Sequence, residues 1–168
     1  FMPVLMITER AENGESKPNH TAEELHETAR FMVGAVRDNR SSVANEHCIF
    51  DPGMPSIGSD MDGATETVLD ALRRIHADPG LAGTHASVGL SNFTNMLPRR
   101  KSDGSPVRSP LESAFLTLAM PLGLDMVIGS VKRKYRRLAE DNPALVCLKD
   151  VFELSGPDRL KRLMDFYA

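Results

Sequence analysis

The stretch His47-Cys48-Ile49-Phe50-Asp51-Pro52-Gly53 decides the fold class. A short apolar run bounded by turn residues reads as a buried strand, here over residues 47–50. Its end at Asp51, followed by Pro and Gly, puts a carboxylate at the strand's mouth before the chain turns. Beyond a Gly-rich loop, Val68, Leu69, Leu72 and Ile75 recur at helical spacing until Asp78-Pro79-Gly80 stops the helix. Strand, loop and amphipathic helix together make one βα unit, the building block of a parallel sheet.

The same pattern recurs on either side. Toward the N-terminus, residues 3–8 read as a strand, followed by a polar loop containing Asn13-Gly14 and Lys17-Pro18. Thr21 and Glu24 then form a capping box that opens a helix with Leu25, Ala29, Met32, Val33 and Val36 on one stripe. Toward the C-terminus, residues 86–90 read as a third strand, and a long loop runs over 92–108. Ser109 at N-cap, Pro110 at N1 and Glu112 at N3 predict the start of a helix carrying Phe115, Leu118 and Ala119. Residues 125–128 read as a fourth strand, with helical segments over 131–140, 143–154 and 157–167.

With 168 residues, 41% hydrophobic and 26% charged, the chain can bury a sizeable core and is read as one domain over residues 1–168. A net charge of -3 gives no global attraction to nucleic acid or anionic membranes. No apolar run approaches the roughly 20 residues of a spanning helix. The apolar start, Phe1 to Ile7, lacks a basic flank and reads as strand rather than signal peptide. Cys48 and Cys147 belong to no C-x-x-C pair, so the expectation is reduced thiols in a cytoplasmic protein. No His/Cys/Asp cluster stands at ligand spacing, and no protein-bound metal is expected. His20, His26, His47, His76 and His85 are scattered and read as structural.

Four βα units can form an open doubly wound sheet or half of a (β/α)8 TIM barrel. The segment after the first strand, Thr8-Glu9-Arg10-Ala11-Glu12, has none of the glycines of a dinucleotide-binding turn, which disfavours the doubly wound reading. In both folds the polar residues at the C-terminal strand ends reach ligand, and here these are Glu9, Asp51, Asn92 and Ser130. Asp51 can be a turn aspartate bonded to its own loop, or it can accept two parallel N–H donors such as those on the amino-pyrimidinone edge of a pterin. Asn92 can cap its loop or donate to a ring nitrogen without ionising.

Val88-Gly89-Leu90-Ser91-Asn92, Phe115-Leu116-Thr117-Leu118-Ala119-Met120 and Gly123-Leu124-Asp125-Met126-Val127-Ile128, in this order, resemble strand seven, its helix and strand eight of the methyltetrahydrofolate:corrinoid methyltransferases. That family is a set of pterin-binding barrels. Ile49-Phe50-Asp51-Pro52 resembles strand six, Met2-Pro3-Val4 onward resembles strand five, and the similarity covers residues 2–155. It implies the C-terminal half of a pterin-binding barrel that moves the N5-methyl group of methyltetrahydrofolate to the cobalt(I) of a cobalamin or other corrinoid carried by a partner protein. It also implies that Asp51 binds the pterin ring, that Asn92 hydrogen-bonds near N5, and that Asn95 and Arg100 line the site.

Strands five to eight alone leave two unpaired edges, so a missing half is expected from a longer chain, a separate chain or a second copy closing a homodimer. The basic run Lys132-Arg133-Lys134-Tyr135-Arg136-Arg137 reads as a solvated helix face, or as a contact for an acidic folate tail or the corrinoid protein. The rival enzyme is a dihydropteroate synthase, a related pterin barrel in which Asp-Pro-Gly also occurs. That family carries a Ser-Arg-Lys element where this chain has Leu90-Ser91-Asn92. A third reading is a non-catalytic pterin-binding half-barrel.

Overall fold

A computed structural model describes residues 2–38 and 43–168, arranged as two compact units. The chain is an α/β protein with one four-stranded parallel sheet and six α-helices among the described residues.

The first unit comprises Phe1–Gly53, Thr67–Val88 and Leu122–Val127. Its parallel sheet contains β1 (Val4–Met6), β4 (Ile49–Asp51), β5 (His85–Val88) and β6 (Met126–Val127), in the order β1-β4-β5-β6. Spatial order therefore follows chain order, without the reversal that defines a doubly wound sheet. Leu5 pairs with Phe50, and Phe50 with Ala86. Leu5 and Phe50 pack in a core with Ile7, with Leu25, Ala29 and Val33 of helix α1 (Ala22–Asp38), and with Ala71 and Ile75 of helix α2 (Ala64–Ala77). Side chains alternate along a strand, so Val4 and Met6 point the other way, and they are 48% and 51% exposed. Burying a side chain of this class contributes roughly 1.5–3 kcal/mol, so the helix-covered face supplies most of this unit's cohesion.

The predicted capping box is present. Glu24 N–H donates to Thr21 Oγ1 at 3.2 Å, and Thr21 N–H donates to Glu24 Oε2 at 3.1 Å. The stretch expected to be a polar loop is instead an antiparallel hairpin, β2 (Glu9–Glu12) with β3 (Glu15–Pro18). Asn13 and Gly14 turn it with φ of 55° and 82°. Two consecutive positive φ angles make the tight turn whose twist matches the flanking strands, and Asn-Gly is the pair that tolerates them. The second strand begins two residues later than expected, because residues 45–47 form a 3-10 turn.

The second unit comprises Met54–Glu66, Gly89–Pro121 and Ile128–Ala168. Its helices are α3 (Leu90–Phe93), α4 (Arg108–Ala119), α5 (Pro143–Phe152) and α6 (Pro157–Tyr167). Leu111, Phe115, Leu145, Leu148 and Leu163 are fully buried, and the Phe93 and Phe115 rings meet at 5.1 Å between centroids. Asn142 caps α5 by accepting the Ala144 N–H at 3.1 Å, with Pro143 in the first turn. A buried ion network ties α6 to the start of α2. Arg159, 2% exposed, donates to both Glu66 oxygens at 2.6 and 2.7 Å and to the Asp60 carbonyl at 3.0 Å. Asp60 in turn accepts the N–H groups of Gly63, Ala64 and Thr65 at 2.8–2.9 Å, satisfying the orphan donors of α2.

Three expectations over residues 86–140 fail. The third strand stops at Val88, and Leu90 opens α3 rather than ending the strand. Helix α4 starts at Arg108, not after Ser109, and Glu112 caps nothing. Glu112 is fully buried, accepting from Thr94 Oγ1 and from the Arg133 guanidinium. An ionic partner for the buried carboxylate outcompetes a surface cap.

Residues 131–140, expected to be helical, are irregular. A helix there would set Lys132 against Arg136 and Arg133 against Arg137 at i,i+4 spacing, where like charges repel. The segment instead runs along α4: Arg136 N–H donates to Ser113 Oγ at 3.4 Å, and Leu138 N–H to Thr117 Oγ1 at 2.9 Å. Two residues of extended chain span about 6.6 Å and four of helix about 6 Å, so hydroxyls one turn apart on α4 meet alternate amides of the segment.

Candidate functional site

Asp51 ends β4 and is 6% exposed. Its Oδ1 accepts the Gly53 N–H at 2.8 Å, which is the turn-aspartate geometry. Gly53 has φ of 74°, and a Cβ there would stand 2.7 Å from Thr8 Cγ2, so this tight turn admits only glycine without rearrangement. Burial pushes the Asp51 carboxyl above the usual aspartate range, opposed by the Gly53 N–H. Each carboxylate oxygen has two acceptor sites, so a bonded Oδ1 keeps capacity for a ligand donor.

Asn92, Asn95 and Arg100 belong to the second unit. Asn92 and Asn95 share one turn, the Asn95 N–H donating to the Asn92 carbonyl at 3.3 Å. The turn is held from α4 by Arg108, which donates to the carbonyls of Leu97 at 2.9 Å and Asn95 at 3.0 Å. The Asn92 side chain is exposed and folds back over Gly89, its Nδ2 standing 2.9 Å from where a Cβ on that glycine would be. No described residue hydrogen-bonds the Asn92 or Asn95 side-chain amide. Arg100 is engaged differently: its Nη1 donates to the Gly104 carbonyl at 2.7 Å, closing the loop that bridges Arg100 and Pro106.

The other strand-end residues are committed locally. Glu9 accepts the Ser16 hydroxyl at 2.6 Å across the hairpin, and Arg10 binds the Pro18 carbonyl, Asn19 and Glu24 at 3.0 Å. Ser130 N–H donates to the Tyr135 hydroxyl at 3.2 Å. Two histidines pair with aspartates, His26 with Asp78 at 2.7 Å and His85 with Asp125, which also accepts the Ala86 N–H. The His85 pair lies at the start of β5, the stabilising rather than the reactive end of a parallel sheet. Both cysteines are buried and free, and burial raises the Cys147 thiol to about 11, leaving it an inert apolar group at neutral pH.

Sequence reasoning missed Arg108 as the residue that fixes the Asn92 turn, and no local signal marks it. It also missed the burial of Glu112, which its position in an otherwise apolar helix stripe with Leu111 and Phe115 could have suggested. No described helix is long and apolar enough to cross a membrane. No protein-family model matches this chain, and no curated protein matches it either.

Proposed function

We propose that this chain supplies the C-terminal half of a pterin-binding (β/α)8 barrel and takes part in moving the N5-methyl group of methyltetrahydrofolate to cobalt(I) of a corrinoid carried by a partner protein. The observation that carries the reading is the Gly89-Leu90-Ser91-Asn92 turn directly after β5, with the Asn92 amide unbonded among the described residues and folded over a glycine that leaves it room. The unreversed parallel order of β1, β4, β5 and β6 supports the barrel half of the proposal.

In this reading Asn92 donates to N5 and strengthens that bond as N5 becomes the leaving group, without contributing a titration of its own. Asp51 accepts from the ring's N–H donors, with one oxygen already oriented by Gly53. The family resemblance adds Asn95 and Arg100 to the pterin-binding residues. The corrinoid supplies the nucleophile, so the protein's own task is to bind, orient and polarise the methyl donor.

The test is protein-dependent loss of the cobalt(I) absorbance band when the protein, in its native assembly, is mixed with methyltetrahydrofolate and cob(I)alamin. A band that decays no faster than without protein overturns the reading. Turnover of a pterin pyrophosphate with p-aminobenzoate would assign the turn to dihydropteroate synthesis instead.

A further inference from the structure

The second unit contains a cavity of about 430 Å³ whose lining includes Lys101, Lys134 and Arg136. The size suits a small-molecule ligand. None of the three cations makes a salt bridge with any described carboxylate, whereas Arg133, Lys149, Arg159 and Arg162 of the same unit are all paired. No acidic side chain lines the cavity. Asp103, the acid next along the chain from Lys101, accepts the Ser105 N–H at 2.8 Å, and the Ser105 hydrogen bonds, then the nearby Lys101 charge, hold its carboxyl below the usual range without an ion pair forming.

Like charges that line one cleft without an ion-pair partner repel one another, and an arrangement of this kind is relieved by a bound anion. The remaining lining fits that role. Ser113, 3% exposed, accepts the Arg136 N–H, and its own proton has no acceptor among the described residues. The first turns of α4 and α5 also border the cavity, adding the positive ends of two helices. One wall is apolar: Phe166 faces the cavity with Lys101 Nζ 3.7 Å above its ring, beside Leu138 and Pro143.

We propose that this cavity binds a small molecule carrying two or more anionic oxygens, phosphate or carboxylate, next to an apolar portion that rests on Leu138 and Pro143. The proposal stands on the unpaired cations and the lining of the second unit, and does not depend on the pterin reading.

The test is isothermal titration of the full chain at low salt, with inorganic pyrophosphate in one arm and triglutamate in the other. One saturable site for either ligand supports the proposal, and the tighter arm tells phosphate from carboxylate. Lys134→Gln and Arg136→Gln should each weaken that site about tenfold, the loss of one charge-assisted contact. Both side chains are exposed and hydrogen-bond to nothing in the described chain, so folding is expected to be intact, checked by the unfolding midpoint. Arg137→Gln, which removes a neighbouring charge outside the cavity, should leave affinity within about twofold. Equal weakening by Arg137→Gln and Lys134→Gln would mean diffuse screening and overturn the proposal. So would the absence of saturable binding in both arms.

Discussion

The side-chain nitrogen of Asn92 stands 2.9 Å from the point that a Cβ on Gly89 would occupy. The amide thus owes its position to a missing side chain three residues earlier. Gly89 is at φ of -73°, so alanine would cause no backbone strain there. Gly89→Ala should therefore fold normally and push the amide aside. If Asn92 polarises the methyl donor, the variant should lose up to about a hundredfold in transfer rate while binding methyltetrahydrofolate almost as well, a split read from single-turnover kinetics and equilibrium titration.

Asn92→Ala should slow transfer by about a hundred- to a thousandfold, more than it weakens substrate binding, because the donor acts on charge that develops at N5. Asn92→Asp should fail equally at neutral pH, since an ionised carboxylate has no proton to donate. Single-turnover transfer to cobalt(I) at saturating substrate checks both. A near-normal rate for Asn92→Ala would reduce the turn to a structural element.

Asp51→Asn should move binding and stability in opposite directions. An amide keeps an acceptor for Gly53 but faces the ligand's donors with a donor of its own, which should weaken pterin binding about ten- to a hundredfold. Burial holds the Asp51 carboxyl above its ordinary value in the folded state. Between that ordinary value and the raised one, the folded protein binds more protons than the unfolded chain, so stability falls as pH rises through this window. Asp51→Asn removes that cost and should raise the urea midpoint at neutral pH, with the gain shrinking in acid below the ordinary aspartate range. A lower midpoint at neutral pH would show the carboxylate to be structurally required.

Arg159→Met should destabilise the protein by about 3–5 kcal/mol, because it strands Glu66 and Asp60 beside a buried apolar side chain. Arg159→Lys should recover only part of this, since one ammonium cannot grip both Glu66 oxygens. Burial pushes the Asp60 carboxyl up, but the N–H groups of Thr65 and Ala64 and the charge of Arg159 outweigh it and leave it below the usual range. A depressed carboxylate stabilises the fold above its unfolded value and loses that contribution as pH falls through its folded one. Wild type should therefore unfold in acid with proton uptake in the region below the ordinary aspartate value, and Asp60→Asn should flatten that dependence in denaturant titrations.

The amino-acid sequence by itself determined whatever depends on neighbours a few residues apart. The Thr21–Glu24 capping box, the stripe of Leu25, Ala29 and Val33, the Val68, Leu69, Leu72 and Ile75 face and the start of a helix at Pro143 all appear as read, because helical period and capping chemistry are local. The hairpin at Asn13-Gly14 was equally local, and its turn chemistry was written in those two residues. Tertiary structure decided where polar groups found partners distant in the chain. Glu112 left its expected cap for Arg133 and Thr94, and Ser113 and Thr117 drew residues 136 and 138 out of a helix that charge repulsion already disfavoured. Spacing along the chain fixes which residues share a face, but a buried charge is stable only beside an opposite one, and that pairing exists only once distant segments have come together.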